Sequence, residues 1–228
     1  MEKQMKLSNE TLVVLKNFAT INQGLKFKKG NTLKTISGSK NVMAEAEVKD
    51  AFDDEFCVED LNEFLSVHSL FKDKAELVFD EKNINFQNGR QKIKYRKTAD
   101  SMITVAPEKT LNLPTKDVEF ILTAEDYEWI LKTCSVLKSP NIAVESNGDK
   151  IQIVTFDQDN DAAHTNSLEL GEGNGKKYKI VYNTDNFKMI PGTYSAVISF
   201  KGLTHFTNTK DKIQYWIANE KKGTVVPA

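Results

Sequence analysis

Cysteine, proline and histidine are all scarce in this sequence. Its 228 residues include 2 cysteines, 5 prolines and 3 histidines. Cys57 and Cys134 are too few for a disulfide framework, which favours a reducing compartment such as the cytoplasm. The histidines lie far apart in the chain and share no metal-ligand spacing. The sequence therefore predicts neither a disulfide scaffold nor a metal centre, and it names no cofactor.

The sequence also lacks long apolar runs and an excess of basic charge. No apolar run reaches the roughly 18 residues of a membrane span, and the first residues do not resemble a signal peptide. Lys and Arg number 31 against 32 Asp and Glu, so the formal net charge is −1. A protein that holds DNA by bulk charge is normally basic. Any contact with nucleic acid would therefore require basic residues segregated onto one surface.

Catalytic motifs are missing as well. Residues 171–177 resemble a phosphate loop, but Leu170 stands where the loop needs Gly and Lys177 where it needs Ser or Thr. We interpret this stretch as a flexible hairpin loop. Residues 157–161 begin like a calcium loop, but Ala162 replaces the required Gly, which favours an acidic turn. The sequence therefore nominates no catalytic residues, and the hypothesis of an enzyme starts weak.

The second half of the chain echoes the first at an offset of about 120 residues. Phe86 recurs as Phe206, residues 92–95 (KIKY) as residues 212–215 (KIQY), and residues 104–107 (TVAP) as residues 224–227 (TVVP). Several matches at one offset indicate a duplication. We therefore expect two similar domains, residues 1–110 and 111–228, with a seam near residues 107–114.

Hydrophobic periodicity predicts the same element order in each half. Ser8 and Thr123 are suited to cap helices over residues 9–22 and 124–137. A second helix is predicted over residues 59–70, and a fourth from Asn183 to about Ile190, ended by Pro191. Short strands fill the intervals. The prediction is an α+β fold with two amphipathic helices per half on a mostly antiparallel sheet.

Several stretches of the chain resemble one known family. These are residues 5–8 (MKLS) with 15–22 (LKNFATIN), residues 60–62 (DLN) with Phe64 and Leu65, and residues 186–189 (NFKM) followed by Pro191. They resemble the sliding clamps, or DNA polymerase processivity factors, of T-even-type bacteriophages. The likeness runs from Met5 to about residue 218.

The resemblance implies a non-enzymatic protein that encircles duplex DNA and tethers the phage DNA polymerase. Three chains would form a head-to-tail trimeric ring with pseudo-sixfold symmetry, its helices lining the hole and its sheets forming the outer wall. Further implied partners are a clamp-loader ATPase and a sigma-like factor for late transcription, in the cytoplasm of the infected host. A dense acidic stretch between residues 45 and 63 suits an outer surface.

Four lysines are the candidates for facing DNA. Lys16, Lys132 and Lys188 lie off the predicted apolar stripes and match basic positions of the family, and Lys138 ends the third predicted helix. Lys72 and Lys74, after the second helix, are weaker candidates. Without the resemblance, each would be read as an ordinary solvated lysine.

The linker between the halves is the candidate site for a partner peptide. It carries apolar residues in a stretch too interrupted by proline to form a regular strand: Ile103, Val105, Pro107, Leu111 and Leu113. The alternative is that they pin the linker to its own sheet. Val105 and Pro107 recur in the C-terminal tail, which favours a packing role for that pair and a docking role for Leu111 and Leu113.

Two other functions remain open from the sequence alone. A virion or assembly protein could associate through its sheet edges, and a hydrolase could carry a catalytic pair that is defined only in space. Composition and periodicity alone reach no further than a duplicated α+β protein.

Overall fold

The computed structural model describes residues 3–72 and 74–227, which divide into two compact units, Met1–Glu108 and Lys109–Ala228. In the first unit the strands are β1 (Lys3–Met5), β2 (Leu25–Phe27), β3 (Gly30–Ile36), β4 (Val42–Phe52), β5 (Phe56–Val58), β6 (Glu76–Phe79), β7 (Asn83–Asn88) and β8 (Gln91–Arg96). Its helices are α1 (Asn9–Ile21) and α2 (Leu61–Ser69). Four strands form an antiparallel sheet in the order β1-β6-β7-β8, and β2 pairs with β5 and β3 with β4.

Both helices of the first unit begin where the sequence places their caps. Ser8 Oγ accepts a hydrogen bond from Thr11 N at 3.2 Å, and Asp60 Oδ1 accepts one from Glu63 N at 3.0 Å. Each bond satisfies a backbone donor that has no partner within the helix. The two predicted helices of this unit are confirmed, and their apolar stripes pack into a core rich in phenylalanine. Within that core the rings of Phe27 and Phe56 stack with centroids 4.4 Å apart.

Over residues 109–227, the second unit has one long helix, α3 (Ala124–Leu137), and nine strands. The strands are β9 (Val118–Leu122), β10 (Asn141–Asn147), β11 (Lys150–Phe156), β12 (Asn166–Glu172), β13 (Lys177–Asn183), β14 (Tyr194–Ser199), β15 (Leu203–Asn208), β16 (Ile213–Ala218) and β17 (Glu220–Val225). One antiparallel sheet has the order β12-β11-β10-β13-β17, and β16-β15-β14-β9 form a second antiparallel array. Tyr127, Ile130 and Cys134 form the buried stripe of α3.

The fourth predicted helix does not form. Asn183 caps only a short 3₁₀ turn, Thr184–Asn186. Beyond it, buried Phe187 and Met189 alternate with half-buried neighbours, which is the period of extended chain rather than of a helix. The prediction of two helices in each half is therefore wrong for the second half.

Tyrosine hydroxyls supply the hydrogen bonds that a fourth helix would have supplied. The Tyr127 hydroxyl accepts from Met189 N at 3.0 Å and lies 3.0 Å from Met189 O and 3.1 Å from Phe187 O, to one of which it donates. Ile190 N donates to the Tyr215 hydroxyl at 3.2 Å, and the Tyr194 hydroxyl donates to Ile190 O. Pro191 also disfavours helical backbone at Ile190.

The repeat is present in the β7–β8 and β15–β16 hairpins, but not at a constant offset. Phe86 faces Ile93 across β7 and β8, whereas Phe206 faces Tyr215 across β15 and β16. The pairing therefore equates Ile93 with Tyr215, an offset of about 122, because the second hairpin has a longer turn. The sequence echo of 120 fits the β7 and β15 strands and is wrong by two residues in the strand that follows.

No helix among residues 3–72 and 74–227 is long and apolar enough to cross a membrane.

Candidate functional surfaces

Lys16 and Lys132 lie in similar places on their helices, eight residues after the cap Ser8 and nine after the cap Thr123. Each is exposed and lies on the side of its helix opposite the buried stripe. Lys132 Nζ is 3.3 Å from Glu128 Oε2, one helical turn away, with both side chains largely in solvent. An exposed pair of this kind contributes about 0.3–0.5 kcal/mol, so it is easily exchanged for a pair with a phosphate. Both lysines are placed to meet a polyanion lying along the helix.

The other candidate lysines lie on non-helical backbone. Lys138 is the exposed C-cap of α3, with a left-handed φ of 54°. Lys188 is half-buried between Phe187 and Met189, in the extended segment that replaces the predicted fourth helix. The prediction that Lys188 lies on the outward face of a helix is therefore wrong. Lys72 and Lys74 are exposed in the segment that follows α2.

The linker residues differ sharply in burial. Ile103 packs over Gly24, where an added Cβ would lie 2.5 Å from Ile103 Cγ2. Val105 is 37% exposed and Pro107 is also exposed, and Val225, the echo of Val105 in the tail, is 62% exposed. The expectation that Val105 and Pro107 are packing residues is therefore wrong. Leu111, like Leu113, is half-buried.

Val105 and Pro107 instead line a lysine-rich cleft in the first unit. Four lysines line the same cleft: Lys26, Lys28, Lys29 and Lys34. Glu108 ties the linker across this cleft. Its carboxylate pairs with Lys28 Nζ at 2.7 Å, and its backbone carbonyl accepts from Lys34 Nζ at 2.8 Å. The hydrogen bond from Lys28 lowers the pKa of the Glu108 carboxyl group.

Two strands at the edges of their sheets carry opposite charge, and neither edge was identified from the sequence. Strand β8 ends its sheet and carries exposed basic residues at alternate positions, Lys92, Lys94 and Arg96. Strand β12 ends the five-stranded sheet and carries exposed Glu169 and Glu172. An unpaired edge presents a row of backbone donors and acceptors to a second chain. In the sequence, the basic edge could have been found from the alternation of basic residues over 92–96.

The glycine-rich stretch of residues 171–177 has a structural role. Gly173 N donates to Asp149 O at 2.5 Å and Gly175 N to Gly148 O at 2.9 Å, so the glycine-rich stretch bonds to another turn. It joins β12 to β13, which are not neighbours, so the expectation of a hairpin loop is wrong. Within the part of the chain that the structure describes, no cluster of three or more His, Cys, Asp or Glu could hold a metal ion.

Comparisons with known proteins agree on one family. A family model described as DNA polymerase processivity factor matches residues 6–105. The sliding clamp of Enterobacteria phage T4 is 36% identical over 87% of this chain and 89% of its own. The sliding clamp of Escherichia phage RB69 is 33% identical over 96% of this chain and 99% of its own.

Solved structures show the same fold at much lower identity. The proliferating cellular nuclear antigen of Entamoeba histolytica has a TM-score of 0.68 at 10% identity, covering 96% of this chain and 98% of its own. An A. fulgidus PCNA bound to the C-terminal region of FEN-1 has a TM-score of 0.69 at 14% identity, covering 98% of this chain and 100% of its own.

Proposed function

Because this chain belongs to the sliding-clamp family of DNA polymerase processivity factors, we propose that three copies close into a ring around duplex DNA. The family consists of processivity factors rather than enzymes. In this proposal the units Met1–Glu108 and Lys109–Ala228 are both clamp domains, so three chains supply six similar domains. The ring would hold the phage DNA polymerase on its template in the cytoplasm of the infected host.

The observation that carries the ring is the pair of free strand edges. Basic β8 belongs to the first unit and acidic β12 to the second, so each chain offers one edge of either sign. Pairing β8 of one chain with β12 of the next is a head-to-tail contact, which closes into a ring if the rotation permits. Closure also removes two edges that would otherwise favour aggregation. Pairing of two β8 edges would place basic residues together, and pairing of two β12 edges would place acidic residues together. Both of these wrong pairings are therefore disfavoured by repulsion.

The mechanism is topological. A closed ring cannot leave long DNA without opening, so it needs little affinity for any one position. Lys16 and Lys132 would meet phosphate groups, which are alike at every base pair and carry no sequence information. Weak contacts of this kind re-form at each step and let the ring move, whereas base readout would arrest it. A chain of near-zero net charge with a few lysines on the inner helices suits this task.

The linker is the proposed docking site for the polymerase. Exposed Val105 and Pro107 line the lysine-rich cleft of the first unit. Leu111 and Leu113 follow in the chain and are half-buried. Surface loops that expose apolar side chains are frequent binding sites. A PCNA of the same fold holds the C-terminal region of FEN-1, which supports a peptide as the ligand. A clamp-loader ATPase, to open the ring, and a sigma-like factor for late transcription are further proposed partners.

Retention on circular DNA tests the proposal. The purified chain, loaded with its clamp loader and ATP onto a nicked circle, should remain through gel filtration and be released when the circle is cut. The free protein should have the mass of three 25.8 kDa chains. Retention that survives cutting would contradict encirclement. Recovery of the chain inside purified virions would favour an assembly role instead.

A further inference from the structure

The outward faces of α1 and α3 carry a repeated pattern that the lysines do not explain. In α1 the exposed stripe runs Asn9, Val13, Lys16, Thr20, and in α3 it runs Glu125, Trp129, Lys132, Val136. Both stripes have the spacing i, i+4, i+7, i+11, which follows one face of a helix. In each, an apolar residue precedes the lysine by three positions. Val13 follows the cap residue Ser8 by five positions and Trp129 follows Thr123 by six. The pair therefore recurs on the outward side of both helices, one residue apart in register.

The apolar members of these stripes are unusually exposed. Trp129 is 53% exposed, Val136 78% and Val13 51%. Trp129 makes no ring contact or cation-π contact with any residue that the structure describes. Tryptophan is the side chain with the most apolar area to bury, and it is common at interfaces, where its ring is covered and its N–H reaches a polar partner. The isolated protein leaves this area in water, which indicates a ligand on this face.

We infer that the exposed indole of Trp129 on α3 is a contact for the sugar–phosphate backbone of the encircled DNA, beside Lys132. This inference rests on the proposed function, in which α1 and α3 line the hole of the ring. Lys132 is the cation beside Trp129 and would exchange its exposed ion pair with Glu128 for one with a phosphate. Glu125 carries the opposite charge at the other end of the stripe, so the contact is assigned to the end that holds Trp129 and Lys132. The indole face would lie on the deoxyribose, and Nε1, a hydrogen-bond donor only, would face a phosphate oxygen. Val13, beside Lys16 on α1, is the smaller counterpart.

Such a contact differs from a lysine–phosphate pair in its response to salt. A lysine that neutralises a phosphate releases counterions, so its contribution falls as salt rises. Apolar contact between an indole and a sugar releases none, and the N–H to phosphate bond brings no net charge. Trp129 would therefore hold the ring against DNA at salt concentrations where Lys16 and Lys132 no longer do. The contact is independent of sequence, because every nucleotide has the same sugar.

The protein contains its own probe for this contact. It has two tryptophans, and the other, Trp216, is only 1% exposed and stacks on His205 with centroids 4.6 Å apart. Quenching by acrylamide, which is neutral and not repelled by DNA, therefore reports mainly on Trp129. Comparison with a Trp129→Phe variant isolates its signal. Rings loaded on nicked circles should show several-fold weaker quenching of Trp129 than free rings.

The outcomes separate this inference from the function on which it rests. If rings remain on circles and Trp129 is quenched as strongly as in the free protein, the contact does not exist but the clamp function stands. If no ring is retained on circles, both are overturned.

Substitution gives a second readout. Trp129→Ala should shorten retention at high salt several-fold without changing how steeply retention falls with salt, and Trp129→Phe should restore most of the retention time. Ile121→Ala is the matched control, since Ile121 is 51% exposed but lies on strand β9. An equal effect of Ile121→Ala would contradict the assignment, as would a change in salt slope with Trp129→Ala.

Discussion

Single side chains set the local structure at several points of this protein, and Tyr127 is the plainest case. It is fully buried on α3, and its hydroxyl bonds the backbone at Phe187 and Met189, 60 and 62 residues away. Tyr178 is buried too, but its hydroxyl has no hydrogen-bond partner among the described residues. The two tyrosines therefore form a matched pair for measuring what a buried hydroxyl contributes.

Tyr127→Phe should destabilise the protein and Tyr178→Phe should not. Removing the Tyr127 hydroxyl leaves buried backbone groups without partners, at a cost of about 1–3 kcal/mol. Removing the unpartnered Tyr178 hydroxyl should be neutral or slightly stabilising, for the same reason. Urea unfolding followed by circular dichroism would give both values. Equal destabilisation of the two variants would show that the Tyr127 bonds do not hold the 187–190 segment.

Cys57 should be unreactive in the folded protein. It is 2% exposed, and burial together with a hydrogen bond to Asp100 raises the pKa of its thiol to about 12. The thiolate is the reactive form, and almost none exists at pH 8. Dithionitrobenzoate should react with neither cysteine until denaturant is added, whereas a Ser101→Cys control should react at once. A native thiol that reacts within seconds would contradict this burial.

The raised pKa of the Cys57 thiol predicts that the protein becomes less stable as the pH rises. The folded pKa of Cys57 is above the unfolded value of about 8.5, so the folded state holds this proton more tightly. The resulting stability is fully present below about pH 8.5 and is lost as pH rises towards 12. Burial raises the pKa of Tyr178 and of Tyr194 to about 12 as well, which adds to alkaline unfolding. Thermal unfolding temperatures should fall steadily above pH 9.

At the scale of elements, periodicity located the helices and the central strands well. It failed where contacts with distant parts of the chain determine the secondary structure. Residues 9–21 and 124–137 have caps and stripes that specify a helix locally. Strand β17, with the sequence Glu-Lys-Lys-Gly-Thr-Val, has no apolar alternation and exists because it pairs with β13. Strand β5 has three residues, all buried, which is too short to show a period. The fourth helix is replaced by extended chain because tyrosines distant in sequence bond its backbone.

The candidate sites divide in the same way. Lys16 and Lys132 could be placed from the sequence, because a helix fixes the direction of its side chains. The lysine cleft beside the linker could not, since it joins β2 and β3 to residues about 80 positions later. The charged edges of β8 and β12 needed the strand order, which periodicity does not contain. The direction of a side chain on its helix could be predicted from the sequence, whereas contacts between segments that are distant in the chain could not.

The edge strands give a prediction by charge exchange. Lys92→Glu with Lys94→Glu should weaken the trimer, because it places acid against the acidic β12 edge of the next chain. Glu169→Lys with Glu172→Lys should also weaken the trimer, because it places basic residues against the basic β8 edge of the neighbouring chain. A chain that carries all four changes should recover much of the association, as complementary signs are restored. Sedimentation at several concentrations measures this, and failure of the combined variant to exceed either parent pair would contradict the β8–β12 contact.

The linker gives a prediction about partner docking. Leu111→Ala with Leu113→Ala should abolish binding of the DNA polymerase that is proposed to dock at the linker, while trimerisation and loading persist, because apolar anchors supply most of the energy of such contacts. Calorimetry would measure the affinity. The control is Val225→Ala, which removes an exposed apolar side chain in the second unit. Unchanged affinity in the double variant would place the pocket elsewhere.

At the scale of the whole molecule, positive and negative charges nearly cancel, but they are clustered in different parts of the chain. The net charge is −1, yet basic residues are grouped on β8 and around the linker, and acids are dense between residues 45 and 63. A protein of this kind is not drawn strongly to DNA by its total charge. In the proposed ring, a clamp loader would place the protein on DNA and closure of the ring would keep it there. A few contacts of the inner helices would then decide how freely it moves.

Charge reversal on the inner helices tests this view of the whole ring. Lys16→Glu with Lys132→Glu should weaken loading and processive synthesis without altering the fold, since both side chains are exposed and off the buried stripes. Removing one lysine–phosphate pair should also reduce the slope of log affinity against log salt by about one. Lys40→Glu with Lys210→Glu makes the same change in net charge at exposed turns and is the control. Lys188→Glu is measured separately, because Lys188 lies on extended backbone rather than on a helix. A primer-extension assay over a range of salt concentrations gives both the processivity and the slope. If the double variant behaves like its control, Lys16 and Lys132 do not face DNA, and the inner surface of the ring lies elsewhere on these units.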